Sequence, residues 1–284
     1  MKKYRQILIV FLLIPLFTFA QSKPKDSLKK QEKLARAAFE SSYVIDNPTS
    51  VVLKKKGLEV MMQHRFGLIN GGTNDMAGIW APSNIRIALE YGIHDRLTIG
   101  YGTTKFNRLQ DFNWKVAVLR QTESGKVPVN VTYYGNFTID ARKKENFNMI
   151  QDRYSFFNQI IISRRFSPNI SLQIAPSISH YNLVSEGMEN DMVAIAFGGR
   201  FKISPQTAIL IDYSQPITQY TADDLQPKAG FSVGIEFATS GHEFQLMLSS
   251  NNGLVPQKNY IYNQNDFFSG DILLGFNITR KYNF

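Results

Sequence analysis

From Gly57 to Phe284 apolar and polar residues alternate with a period of two, and no other feature of this sequence restricts its fold as much. Successive side chains of a strand point to opposite sides, so this alternation marks strands whose two faces meet different surroundings. Leu58, Val60, Met62, His64 and Phe66 share one face of the first segment, and Glu59, Met61, Gln63 and Arg65 share the other. The same rule predicts further strands over 85–93, 97–103, 112–120, 127–137, 153–164, 170–180, 193–203, 207–215, 228–238, 242–250 and 270–284, twelve segments in all.

The connections alternate too. Residues 68–83, 104–111, 138–152, 181–192, 216–227 and 251–269 are long, whereas 94–96, 121–126, 165–169, 204–206 and 239–241 are short. Long loops at one end and tight turns at the other, on an even number of antiparallel strands of about ten residues, describe an all-β, antiparallel up-and-down transmembrane β-barrel with its turns in the periplasm. A soluble sandwich gives no reason for that regularity. The last segment places Ile272, Leu274, Phe276, Ile278, Tyr282 and Phe284 on one face, interrupted only by Arg280, with amides, small residues and charges on the other. An apolar face outward and a polar face inward is the membrane-barrel arrangement, the reverse of a soluble barrel.

Composition removes the main alternatives. The chain of 284 residues is 43% hydrophobic, 13% aromatic and 19% charged, and has no cysteine. Disordered chains have few aromatics, and disulfide scaffolds and thiolate metal sites need cysteines. After the first twenty residues no apolar run approaches the roughly 20 residues of a membrane-spanning helix. At the N-terminus, Lys2, Lys3 and Arg5 precede the apolar stretch from Ile7 to Phe19, and Thr18-Phe19-Ala20 supplies small residues, so 1–20 reads as a secretory signal cut after Ala20. Residues 21–53 read as a short periplasmic N-terminal extension. Within it Lys29, Lys30, Lys33 and Arg36 alternate with Leu28, Leu34, Ala38 and Phe39 in a pattern suited to a few turns of amphipathic helix. A solvated leader is the expectation, and a lumen plug or a membrane-surface helix the alternative. Residues 54–284 are assigned to the barrel.

The pieces Lys55-Lys56-Gly57-Leu58-Glu59, His64-Arg65-Phe66-Gly67, Asn70-Gly71-Gly72, Asn84 to Arg86, Leu89 to Gly92, Asp95-Arg96-Leu97-Thr98-Ile99-Gly100, and Lys115 with Leu119-Arg120 stand together in one stretch. This stretch resembles an outer-membrane β-barrel family, domain of unknown function 5777. The resemblance is most specific over 57–120 and extends as overall pattern to Phe284. It implies a barrel in the outer membrane of a Gram-negative-type bacterium, and brings no activity or catalytic residue with it.

Enzyme motifs fail on context. Gly230-Phe231-Ser232-Val233-Gly234 fits the G-x-S-x-G pattern but lies within an alternating strand, without the helix that exposes a nucleophilic serine. Gly100-Tyr101-Gly102 lacks the third glycine of a dinucleotide loop, and His242-Glu243 lacks the second histidine of a zinc protease. His64 and His180 fall near the loop ends of lipid-facing strands, where an outer-membrane hydrolase could pair a histidine with Ser179 or Ser83; an interfacial aromatic belt is the stronger expectation. No catalytic residue, metal site or cofactor is assigned. The lumen-lining candidates are Arg65, Arg86, Lys115, Arg200, Lys202 and Lys228 against Glu59, Glu90, Asp212, Glu236, Glu243 and Asp271. Equal numbers of each sign suit either a mixed-charge pore or a closed, salt-bridged interior, and twelve strands lie between filled and open barrels. A narrow passive channel, or a transport-associated protein for small polar solutes, is the expected role, and a structural or partner-binding barrel the alternative. Expected partners are outer-membrane lipid and the barrel assembly machinery, addressed through Phe284. The basic excess is spread over loops and the leader and gives no nucleic-acid signal.

Overall fold

The computed structural model describes residues 32–284, so the expected signal segment and the start of the expected extension lie outside the described residues. Two short strands, β1 (Tyr43–Val44) and β2 (Asn47–Pro48), precede twelve longer ones. These are β3 (Gly57–Leu68), β4 (Asn84–His94), β5 (Leu97–Thr104), β6 (Leu109–Leu119), β7 (Asn130–Asp140), β8 (Tyr154–Arg165), β9 (Ile170–Tyr181), β10 (Asp191–Lys202), β11 (Thr207–Pro216), β12 (Gly230–Ala238), β13 (His242–Ser249) and β14 (Leu273–Asn283). Each pairs antiparallel with its sequence neighbour, and β14 pairs with β3 from Leu273↔Leu68 to Asn283↔Gly57, which closes the barrel. Closure leaves no unpaired edge in the bilayer, where water is not available to satisfy one.

The alternation read from sequence is the wall's inside and outside. In β3 the residues from Gly57 to Arg65 at every second position are buried, while Leu58, Val60, Met62 and His64 are partly exposed on the outer face. His64 stacks on Phe276 of β14, ring centroids 5.0 Å apart, within the outer aromatic surface. Three expected strands begin two or three residues later than their periodicity suggested, at Asn130, Gly230 and Leu273.

The interior holds chain rather than open space. Leu34 bridges to Thr122 in the β6–β7 turn, and the backbone then enters the barrel, so that Ala38, Phe39 and most residues from Ser41 to Thr49 are buried. β1 and β2 form a hairpin whose tip includes Ile45 at a φ of 54°. A β-branched residue is strained there, and the strain persists only where surroundings fix it. Three lumen side chains do so. Gln245 accepts the Ile45 N–H at 3.1 Å, and the Ile45 carbonyl accepts from Asn277 at 2.9 Å and from Arg65 at 3.3 Å. The chain then returns to its end of entry, where the Leu53 N–H reaches Thr98 Oγ1 and the Lys55 N–H reaches Asp95 in the β4–β5 turn, each at 2.9 Å. Thus residues 38–53 of the stretch expected to be a solvated periplasmic extension lie inside the barrel. The described part of the expected amphipathic helix, 32–39, is irregular chain.

From the opposite end the β13–β14 loop sends in α1 (Pro256–Tyr262), with Pro256 in its first turn. Tyr260 stacks on Phe157 at 5.5 Å, and Ile261 joins Ile161, Met192, Ala194 and Ala196 in an apolar cluster. The β8–β10 side of the lumen is therefore partly a hydrophobic core. Tyr260 Oη also donates to Asn47 Oδ1, so the helix from the loop end meets the hairpin from the turn end in mid-lumen.

Candidate functional site in the filled lumen

Inward positions on neighbouring strands place charges side by side, and the hairpin supplies partners the wall lacks. Arg86 on β4 forms a fork with Asp111 on β6, Nε to Oδ2 at 2.9 Å and Nη2 to Oδ1 at 2.7 Å, while its Nη1 donates to Gln63 at 2.8 Å. Across the barrel Arg200 of β10 donates to Glu236 of β12 at 2.6 Å and lies 3.4 Å from Glu40 of the inserted segment. Such paired geometry is what lets charge persist out of water.

The hairpin tip is the densest polar knot. Arg65 Nη2 donates to Asp46 Oδ1 at 2.8 Å, and the other carboxylate oxygen accepts from Ser232 at 2.8 Å, Ser249 at 3.0 Å and Asn251 at 3.2 Å. Asp212 accepts both backbone N–H groups of Asp46 and Asn47, at 2.9 and 3.0 Å. One turn of chain thereby ties together β3, β11, β12 and β13. Lower in the hairpin, Ser42 donates to Glu90 at 2.7 Å and its carbonyl accepts from Lys115 Nζ at 2.7 Å. Lys115 also lies 5.2 Å from the centre of the Tyr43 ring. Glu59, opposite Glu90 in the ladder, faces Lys281 at 3.7 Å, and Glu243 accepts from Ser41 at 3.0 Å.

Nine of the twelve lumen candidates are therefore buried inside: Glu59, Arg65, Arg86, Glu90, Lys115, Arg200, Asp212, Glu236 and Glu243. Lys202 keeps the inward register opposite Ala208 but lies at the turn-end rim, partly exposed. Lys228 and Asp271 are corrections. Both precede their strands, and Lys228 is exposed in a loop paired through its backbone with Asn263, while Asp271 accepts the Asp266 N–H at 3.1 Å. Their parity matched the inward face, but the strand had not yet begun. Sequence reading missed Asp46, Asp111 and Lys281 as partners. Asp111 fell one residue before the predicted strand, and Asp46 lay in the extension.

The histidine and serine candidates separate. Ser179 is buried inward, whereas the adjacent His180 is on the outer side with Nδ1 2.8 Å from Asp191 and Nε2 2.9 Å from Asn182. Ser232 of the G-x-S-x-G match is held by Asp46 inside β12.

At the loop end, burial pushes Lys258 of α1 down to about 8 from the ordinary 10.5, with Arg142 lowering it further and Asp140 opposing. Released into water the lysine keeps its proton to higher pH, so docking of α1 strengthens as pH rises from about 8 to 10.5 and is level below that window. The parent barrel is expected to gain resistance to urea between those pH values, and Lys258→Met to lose that gain; equal pH profiles would contradict it.

The wall's fold has counterparts among solved structures. The NanC porin is 6% identical with a TM-score of 0.52, covering 78% of this chain and 98% of that one. The COG4313 outer membrane channel from Pseudomonas putida F1 is 12% identical with a TM-score of 0.53, covering 82% of this chain and 97% of that one. At these identities the likeness is one of fold. No curated protein matches the sequence. A closed barrel with an apolar outer surface belongs in an outer membrane, with lipid around its wall. Residues 39–282 match the family described as a membrane bound beta barrel domain, domain of unknown function 5777, and the chain belongs to that family.

Proposed function

We propose that the protein is an outer-membrane barrel closed at rest, whose own segment 38–53 and helix α1 occupy the space that a porin leaves to water, and which serves as a structural or partner-binding barrel. The observation that carries this reading is the buried knot at Asp46, where the inserted hairpin supplies the only acidic partner within 4.0 Å of the Arg65 guanidinium among the described residues. A wall built for an open pore would have water or a wall carboxylate there. The family match starts at Phe39, so the inserted segment belongs to the shared domain rather than to a leader. Exposed Phe284, with Tyr282 stacked at 6.4 Å, is the proposed contact for the barrel assembly machinery.

A second reading, a gated passage for small polar solutes, is favoured by one specific feature. The hairpin is held largely through hydrogen bonds and ion pairs that water can replace, and it enters and leaves at the same end. Its entry is pinned by exposed contacts such as Lys33–Glu123 at 3.0 Å, which contribute little to holding it. The porin and channel among the structural neighbours are consistent with that reading at the level of fold.

Planar-bilayer recording tests both. The intact purified barrel is expected to be silent at low voltage, and steady conductance from it would overturn the closed-at-rest proposal. Excising residues 39–51 and bridging the gap with a glycine-serine linker separates the two readings. Discrete conductance steps from that variant favour the gated passage; silence leaves the structural reading.

A further inference from the structure

Three cationic side chains and three aromatic rings converge on a cavity of about 200 Å³ at the loop end, between the β7–β8 loop and α1. Two of the cations are engaged. Arg142 forms a fork on Asp140, with Nη2 2.7 Å from Oδ2, and Arg153 donates to the Asp140 carbonyl at 2.8 Å while lying 4.5 Å from the centre of the Phe147 ring. Asp152 is engaged as well, accepting the Met149 N–H at 2.8 Å. Lys258 is not. Its ammonium lies over the Tyr262 ring at 3.8 Å and has neither a hydrogen bond nor a carboxylate within 4.0 Å among the described residues.

A half-buried ammonium without an anion is costly, and the fully buried cations Arg65, Arg86 and Lys115 each have a carboxylate within 4.0 Å. Around the cavity the three cations outnumber Asp140 and Asp152 by one positive charge. The Tyr181 hydroxyl, also on its wall, is buried and donates to no partner among the described residues. Tyr181 and Tyr262 meet edge to face at 5.2 Å, which gives the cavity an apolar side next to its charged one.

We infer that this cavity is a binding site for a small organic monocarboxylate, whose anionic end is held by Lys258 and the Tyr181 hydroxyl and whose apolar part lies against Tyr262. A carboxylate fits better than a phosphate dianion because the site's surplus is a single charge and one wall is aromatic. Because Lys258 belongs to α1, the bound anion holds the loop helix in its docked place, which a merely solvated lysine does not do. This site stands independently of whether the hairpin withdraws.

Isothermal titration of the full barrel in neutral detergent uses benzoate and butyrate as probes, benzamide and butyramide as uncharged controls, and inorganic phosphate as the other oxyanion source, all at matched sodium chloride. Saturable binding of a carboxylate, absent for its amide, is the expected result. Lys258→Met is expected to weaken it about tenfold or more, the size of one lost charge-assisted bond, and Lys258→Arg to retain most of it. Resistance of α1 to protease should rise with benzoate in the parent and not in Lys258→Met. Undiminished binding by Lys258→Met, binding of phosphate alone, or no saturable heat with either carboxylate would each overturn the assignment.

Discussion

Replacing Arg86 with Glu is expected to destabilise the barrel by about 3–5 kcal/mol, because the change removes one member of a buried ion pair and puts a like charge in its place. Arg86 and Asp111 are 1% and 0% exposed, and the fork between them is bidentate. The wall is shaped for it. Inward Gly102 sits beneath the fork, where an added Cβ would lie 2.4 Å from Asp111 Oδ2 and 2.6 Å from Arg86 Nε. A glutamate at 86 leaves the Gln63 carbonyl without its donor, the Asp111 carboxylate with only the Asn136 amide at 3.3 Å, and the Tyr43 ring, 5.5 Å from the guanidinium, with Lys115 as its remaining cation. Urea titration of barrels folded in vesicles, with electrophoretic mobility of the unheated protein as second readout, measures the loss. Replacing both partners, Arg86→Met with Asp111→Leu, is expected to recover most of it, since a buried pair exchanged for apolar residues is often neutral. An Arg86→Glu barrel as stable as the parent, with altered ion selectivity, would mean that these charges face water.

What the sequence made legible and what it hid follow from the range of the interactions involved. All twelve wall strands were readable because each imposes a local period of two, and the period survives at both ends of nearly every element. It also made nine inward charges readable, since parity is all that inwardness requires. Parity failed at Lys228 and Asp271 because it does not say where hydrogen bonding to the neighbouring strand stops. The inserted hairpin left no such trace. Residues 41–48 contain two-residue strands and a tight tip, and their burial comes from contacts with residues such as Asp212 and Ser249, far along the chain. Nor could α1 announce itself, because a helix of 7 residues is too short to show an amphipathic period and forms only by docking on Phe157 and its neighbours. Polar composition within the barrel thus said correctly that much of the interior is charged and hydrogen-bonded, and missed the apolar cluster beside β8 to β10. It could not say whether water or another piece of chain would answer those charges.

Asp46→Ala is expected to release the hairpin while leaving the wall intact. The substitution strands the Arg65 guanidinium, which is 0% exposed and keeps only the His64 carbonyl at 2.9 Å, Asn277 at 3.0 Å and the Ile45 carbonyl at 3.3 Å as acceptors. It also leaves Ser232, Ser249 and Asn251 without the oxygen on which they converge. An uncompensated buried cation costs about 3–5 kcal/mol. Here that cost can be avoided locally, because withdrawing the hairpin admits water to Arg65 without breaking any wall ladder. The strained φ of 54° at Ile45 adds to the bias, since it is relieved once the tip leaves Gln245 and Asn277. Hydrogen exchange should therefore quicken across 40–53 and stay slow in β3 to β14. Pairing Asp46→Leu with Arg65→Met removes both charges, and is expected to restore most of the protection, a coupling that separates the ion pair from simple loss of packing. Unchanged exchange in Asp46→Ala, or strictly additive effects in the cycle, would show that the hairpin is held by its apolar contacts at Phe39, Val44 and Ile45 instead, and that the charged tip is incidental to closure.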